Sequence, residues 1–170
     1  MGAAGAVLLA AGLLVGCAER PVPSVERRTI EDSERAVRYV IPPRWLHYDD
    51  EIRSPSGTIF TVEALSLADA DPEFLKALPE SIVPQIEKRT RYFFSIVGPH
   101  ADRKTTVADE PALEVTFPVQ IRDRDNPSKV IYWVVRVGQR LYTLRVTYPP
   151  GAETEDAPAA KQLLDSLKFL

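Results

Sequence analysis

The feature that most restricts what this chain can fold into is a pair of apolar runs, Val130–Val137 and Leu141–Tyr148, meeting about Gly138-Gln139. Two runs of strand length joined by so short a glycine-bearing link read as a tight β-hairpin. Just upstream, Leu113, Val115, Phe117, Val119 and Ile121 alternate with Glu114, Thr116, Gln120 and Arg122. That period of two predicts a further strand with one apolar face. Asp125-Asn126-Pro127-Ser128 has the chemistry to turn the chain between that strand and the hairpin. The result is three antiparallel strands in succession.

Helical periods flank this meander. Asp71-Pro72 reads as an N-cap followed by proline at the first helical position. Phe74, Leu75, Leu78, Ile82, Val83, Ile86, Phe93, Phe94 and Val97 then recur at helical spacing. Pro79 and Pro84 do not fit one straight helix, so a break near Leu78-Pro79 is expected, then a main helix to about Val97, ended by Gly98-Pro99. A last helix is expected from about Glu155 to Leu167, with Ala159, Leu163, Leu164 and Leu167 inward. Nearer the amino end, Val37, Tyr39 and Ile41 share a strand face, and Pro42-Pro43 stops its ladder. Arg44–Tyr48 reads as a short strand. Ser54-Pro55-Ser56-Gly57 is a turn leading into a strand over Thr58–Leu67, with Phe60, Val62 and Ala64 on one face. Helices against an antiparallel meander make an α+β domain.

The first 16 residues carry no charged side chain, and residues 3–16 are an unbroken run of small and apolar residues. A spanning helix needs about 20 apolar residues, so this run has instead the length of a secretory h-region. It ends in Leu14-Val15-Gly16-Cys17, which resembles a lipobox. That resemblance implies cleavage between Gly16 and Cys17, thioether lipidation of Cys17 and acylation of the new amino terminus, each buried methylene contributing about 0.8 kcal/mol to anchoring. Myristoylation after Met1-Gly2 is disfavoured by Ala6, where serine or threonine is required. Met1-Gly2 lacks the Lys or Arg of an ordinary signal n-region. Ala18, rather than aspartate, follows the cysteine and favours the outer membrane, periplasmic face, in a diderm source. Residues 1–16 are thus expected to be a signal peptide, 17–35 a lipidated tether, and 36–170 one α+β domain.

Net charge is −3, from 21 basic and 24 acidic residues, which offers no electrostatic reason to expect nucleic acid. One cysteine excludes an internal disulfide and a thiolate zinc cluster. Neither a Gly-x-Ser-x-Gly elbow nor a free nucleophilic cysteine is present, so catalysis, cofactor and metal are not expected. His47 beside Asp49-Asp50-Glu51 reads as a surface turn, His100 as part of a helix exit, and Asp123-Arg124-Asp125-Asn126 as a solvated loop. Lys88, Arg89 and Arg91, with Arg103-Lys104 near in sequence, form a candidate interaction surface for an acidic partner or anionic headgroups. Of Trp45, Tyr132 and Trp133, at least two are expected in the core.

The order of elements resembles the PsbP-like fold and its bacterial DcrB and LpqN relatives over about residues 36–170. The landmarks are Ile41-Pro42-Pro43-Arg44-Trp45, the strand Gly57–Leu67, the central helix, Tyr132-Trp133, Leu141-Tyr142-Thr143-Leu144 and the ending Leu164-Asp165-Ser166-Leu167-Lys168-Phe169. The resemblance implies an antiparallel sheet with helices on its two sides, and a non-catalytic protein that binds or stabilises larger assemblies. Function is therefore expected to be that of a lipid-anchored envelope accessory protein with a protein partner. The alternative is a periplasmic lipoprotein that binds a small ligand.

Overall fold

The computed structural model describes residues 26–68, 70, 72–78, 80–120 and 127–170. The described chain runs β1 (Arg28–Asp32), β2 (Val37–Ile41), β3 (Leu46–Tyr48), β4 (Glu51–Arg53), β5 (Ile59–Ser66), α1 (Pro72–Ala77), a 3-10 turn (Glu80–Ile82) and α2 (Val83–Phe93). It continues through β6 (Ser95–Ile96), β7 (Ala101–Val107), β8 (Glu110–Gln120), β9 (Pro127–Val137), β10 (Arg140–Tyr148), α3 (Glu153–Ser166) and β11 (Lys168–Phe169). Among the described residues the main sheet has eight strands, ordered β3-β4-β5-β10-β9-β8-β6, with β7 also on β8. A second sheet is ordered β1-β2-β11. Every pairing is antiparallel.

The expected hairpin is the centre of the main sheet. Gly138 turns it at φ +56, a left-handed conformation that glycine adopts without steric cost. Tyr132, Val134 and Leu141 face one way, into a core closed by Ile86 and by Leu75, Leu78, Ile82 and Val83 of the helical segment. Trp133, Val135, Tyr142, Leu144 and Val146 face the other way, into a core closed by Val37, Tyr39 and Ile41 of β2 and by Ala160 and Leu163 of α3. Helices therefore cover both sides of the sheet, as an α+β sandwich requires.

Differences from the sequence expectations have local causes. The tether expected over 17–35 gives way by Arg28 to β1, whose RTIED pairs residue for residue with β2. Main-chain pairing holds this strand, not an apolar stripe. The domain therefore begins before residue 36. The main helix stops at Phe93 rather than Val97, because Ser95 and Ile96 pair with Gln120 and Val119 of β8, and Val97 N–H donates to Pro118 O. Phe93 and Val97 are consequently exposed. β7, ADRKTTV, was not anticipated and pairs along β8 through a turn at Ala108 and Asp109, both at positive φ. In α3, which starts at Glu153, Ala160, Leu163 and the flanking Leu167 are buried, whereas Ala159 and Leu164 are only partly so. The expected N-cap Asp71, the breaker Pro79 and the loop 121–126 lie outside the described residues.

One buried carboxylate fastens α3 to the β4–β5 turn. Asp156 is 4% exposed and accepts hydrogen bonds from Ser54 Oγ at 2.6 Å and Ser56 Oγ at 2.9 Å. Ser54 Oγ in turn accepts from Thr58 N–H at 2.9 Å, around a turn whose Gly57 sits at φ +92. Asp156 lies in the first turn of α3, where a negative charge is favoured by the exposed N–H groups. Burial first, then Glu153 and Asp156, push the hydroxyl of neighbouring Tyr148 up to about 12. A hydrogen bond to a charged group contributes about 1.5–3 kcal/mol. Asp156→Ala should therefore lower the unfolding free energy by about 3 kcal/mol in urea denaturation. In a double-mutant cycle, Ser54→Ala should add little to it. Additive losses would show that the two residues do not act as one unit.

Candidate functional site

Cys17, Gly16 and the residues before them lie outside the described residues, as does the loop containing Asp123–Asn126. Lys88, Arg89 and Arg91 are all exposed on α2, but they do not form a free basic patch. Arg89 reaches across to β5 and grips Glu63 with both guanidinium nitrogens, one contact being 2.6 Å. That hydrogen bond, ahead of the burial that opposes it, raises the Arg89 pKa. Arg91 pairs with Glu87 at 2.7 Å along the helix. Arg103 forms a two-point contact with Glu114, at 2.8 and 2.9 Å, and Lys104 lies 3.4 Å from Glu80. Of the five cations, Lys88 alone makes no ion pair among the described residues.

Trp45, Tyr132 and Trp133 are all buried. Trp133 Nε1 donates to Glu114 at 2.9 Å, and the Tyr132 hydroxyl is hydrogen-bonded to Thr90 at 3.0 Å. His47 is on β3 rather than in an exposed turn, half-buried and hydrogen-bonded to the Tyr39 hydroxyl at 3.2 Å. His100 lies against the Phe117 ring just before β7. No three His, Cys, Asp or Glu side chains converge on a metal position among the described residues. No described helix is long and apolar enough to cross a membrane.

The sheet face under α2 changes character across its width. On β8 and β9 it presents Val115, Phe117, Val119, Val130, Tyr132 and Val134, all buried. On β10 and β5 the same face presents Thr143, Arg145 and Thr147 opposite Glu63, Thr61 and Ile59. α2 does not close over this half. A groove of about 290 Å³ remains, lined by Ile59, Thr61, Arg145 and Thr147 on the sheet and by Phe93 and Phe94 from the helix end. A second basin of about 390 Å³ lies alongside, lined by Leu65, Gln85, Leu141 and Thr143. Glu63 and Arg89 border both, so their ion pair forms the partition.

Two polar atoms on residues lining the first basin have no hydrogen-bond partner among the described residues: Thr61 Oγ1, on a residue 7% exposed, and Arg145 Nε. Among the described residues Arg145 makes no ion pair, since both Glu63 oxygens are held by Arg89. Around the rim, Glu51 pairs with Arg53 and Asp32 with Arg35, while Asp50 stands outside these pairs. Sequence reasoning missed this site because Arg145 and Thr61 occupy polar positions of alternating strands and look like a solvent face. The available signal was a cation on the strand between two others, flanked on its own face by Thr143 and Thr147.

No family model matches the chain, and no curated protein matches its sequence. Solved structures do match in fold. The solution structure of cyanobacterial PsbP (CyanoP) from Synechocystis aligns over 94% of this chain and 100% of its own, with a TM-score of 0.56 at 11% identity. The Ran-binding protein Mog1p of Saccharomyces cerevisiae aligns over 86% of this chain and 96% of its own, with a TM-score of 0.52 at 11% identity. A Bacteroides thetaiotaomicron crystal structure aligns over 84% of this chain and 48% of its own, with a TM-score of 0.56 at 12% identity. The fold is therefore the PsbP-like α+β fold expected from the order of elements.

Burial first, then the Arg28 guanidinium, hold the His47 imidazole below its usual pKa, against the pull of Asp32 and Asp49. Below about pH 6.5 the unfolded chain then takes up a proton that the folded chain refuses. Stability should fall as pH drops from about 6.5 until the lower folded-state pKa is passed. At Asp32, burial works upward, but Arg35's N–H and guanidinium outweigh it and hold the carboxyl low. Its contribution is lost only below about pH 4. Urea titrations at stepped pH should show His47→Gln flattening the first fall and leaving the second. An unchanged profile would remove His47 as the cause.

Proposed function

We propose that this chain is a lipid-tethered, non-catalytic interaction module of the cell envelope. The observation that carries this reading is Leu14-Val15-Gly16-Cys17 at the end of an uncharged apolar run. Two features of the domain agree with it. β1 starts at Arg28, so residues 18–27 form the whole link to Cys17. Fully extended, those residues reach at most about 35 Å, which keeps the domain close to the bilayer that holds the lipid. At the end of α2, Tyr92 is 77% exposed and packs edge-on against Phe93, itself 53% exposed, with Val97 exposed nearby. Large apolar side chains grouped in water are suited to a protein partner. A neighbour of the same fold is named for binding a protein, Ran. Ala18 favours the outer membrane, periplasmic face, in a diderm.

A second reading, small-ligand binding, is supported by one observation: the groove beside α2 is open and lined by two residues whose buried polar atoms have no partner among the described residues.

Labelling cells with palmitate tests the anchor. The wild-type chain should incorporate label and fractionate with membranes, its mature terminus being an acylated Cys17 by mass spectrometry. Cys17→Ser should abolish labelling and release the domain from the membrane fraction. An unmodified Cys17, or a mature terminus upstream of it, would overturn the proposal.

A further inference from the structure

We infer that the groove between α2 and the β5–β10 strands binds a small organic monoanion, a carboxylate carried on an apolar body, with Arg145 as its charge partner. The inference rests on the small-ligand reading and gives that reading a chemistry. Arg145 sits on a central strand, directly opposite Thr61 on β5 and Tyr132 on β9. A half-buried guanidinium at such a place is ordinarily paired, because desolvating a charge is costly unless hydrogen bonds replace the lost water. Here the carboxylates on the same face, Glu63 and Glu51, are spent on Arg89 and Arg53. Thr61, more than nine-tenths buried and lining the same groove, adds a hydroxyl without a partner among the described residues. Buried polar atoms are nearly always satisfied, and two residues with unsatisfied polar atoms lining one cavity point to a ligand there.

Charge and shape narrow its class. The planar guanidinium fork matches a carboxylate in two-point contact. The paired groups around the groove cancel, leaving one cation inside and Asp50 at the rim. Asp50 balances Arg145, so the lining has no surplus positive charge to hold a phosphate dianion, and its single unpaired cation suits a monoanion. Phe93, Phe94 and Ile59 give the remaining wall an apolar surface for the ligand's body. The volume, about 290 Å³, lies at the lower limit of ordinary small-ligand pockets. The Glu63–Arg89 pair closes the side towards the second basin.

The full chain, labelled with nitrogen-15, is titrated with sodium hexanoate, hexanamide and inorganic phosphate while amide resonances are followed. Hexanoate should shift the resonances around Thr61, Arg145 and Phe93 in a saturable way, with hexanamide and phosphate each weaker by roughly tenfold or more. Arg145→Lys keeps the charge but loses the fork, and should weaken hexanoate by roughly tenfold. Arg145→Gln should abolish binding. Thr61→Val should weaken hexanoate yet raise the melting temperature, because it removes a buried hydroxyl with no partner. A merely structural threonine would not move those two readouts in opposite directions. Lys161→Gln, on α3, should change neither. Equal binding of hexanamide would leave a ligand groove but overturn the anion. Tighter binding of phosphate would overturn the carboxylate class. No saturable shift with any of the three would overturn both the inference and the small-ligand reading. Should Arg145→Gln lose its dispersed spectrum, Arg145→Lys and Thr61→Val still decide the matter.

Discussion

The β9–β10 hairpin buries both of its faces about Tyr132–Val135 and Leu141-Tyr142, and the other elements are arranged to make that possible. Tyr132, Trp133, Val134 and Val135 are consecutive and all buried, as are Leu141 and Tyr142 across the turn. Consecutive strand residues point to opposite sides, so at these residues neither side of the hairpin faces water. Each such side chain is worth about 1.5–3 kcal/mol when fully buried, far more than an exposed ion pair. One side is covered by α1, the 3-10 turn and α2. The other is covered by α3 and by β2, which the short carboxy-terminal strand β11 holds at Val37 and Arg38. Asp156 ties that second cover to the sheet through Ser54 and Ser56.

The two covers are unequal in reach. α2 has 11 residues, about 16 Å of helix, lying over a sheet whose strands repeat roughly every 4.8 Å. Side-chain chemistry follows the shadow of the helix. Under it, β8 and β9 carry Val115, Phe117, Val130 and Val134; beyond it, β10 and β5 carry Thr143, Arg145, Thr147, Thr61 and Glu63. Arg89 bridges the boundary by reaching Glu63. The groove is thus a direct consequence of one short helix on a wide sheet.

This division also explains what the sequence made legible. Elements held by apolar burial announce themselves: the hairpin, the apolar face of β8, the last helix and the early strand with Val37, Tyr39 and Ile41. Elements held by main-chain pairing do not. β1 has a single apolar residue, Ile30, and β7 has Val107 as its buried member. The β7–β8 turn lacks the glycine that marks most two-residue hairpins, using Ala108 and Asp109 at positive φ instead. Such charged edge strands also discourage pairing with other chains. The ion pairing within the candidate basic surface was hidden for a related reason. Glu63 lies 26 residues from Arg89 in sequence, so local spacing cannot reveal that the charge is already spent. The groove needed both kinds of information.

Arg145 is one place where the rules that build the rest of the molecule are broken; Thr58, Ser81 and Ser128 also carry buried hydroxyls without a partner among the described residues. Every other level agrees at this strand: propensity, alternation, register and a buried opposite face formed by Leu144 and Val146. An uncharged residue here would avoid the desolvation of a guanidinium and leave no Nε without a partner, a penalty of about 1–3 kcal/mol for such a group. Thr61 repeats the anomaly one strand away, since valine would fill the same space without a stranded hydroxyl. Folding alone has no use for either choice. Local inconsistency of this kind collects at sites that do something else, and here both residues line one cavity. Binding an anion would turn each of them from a cost in the free protein into a contact in the complex.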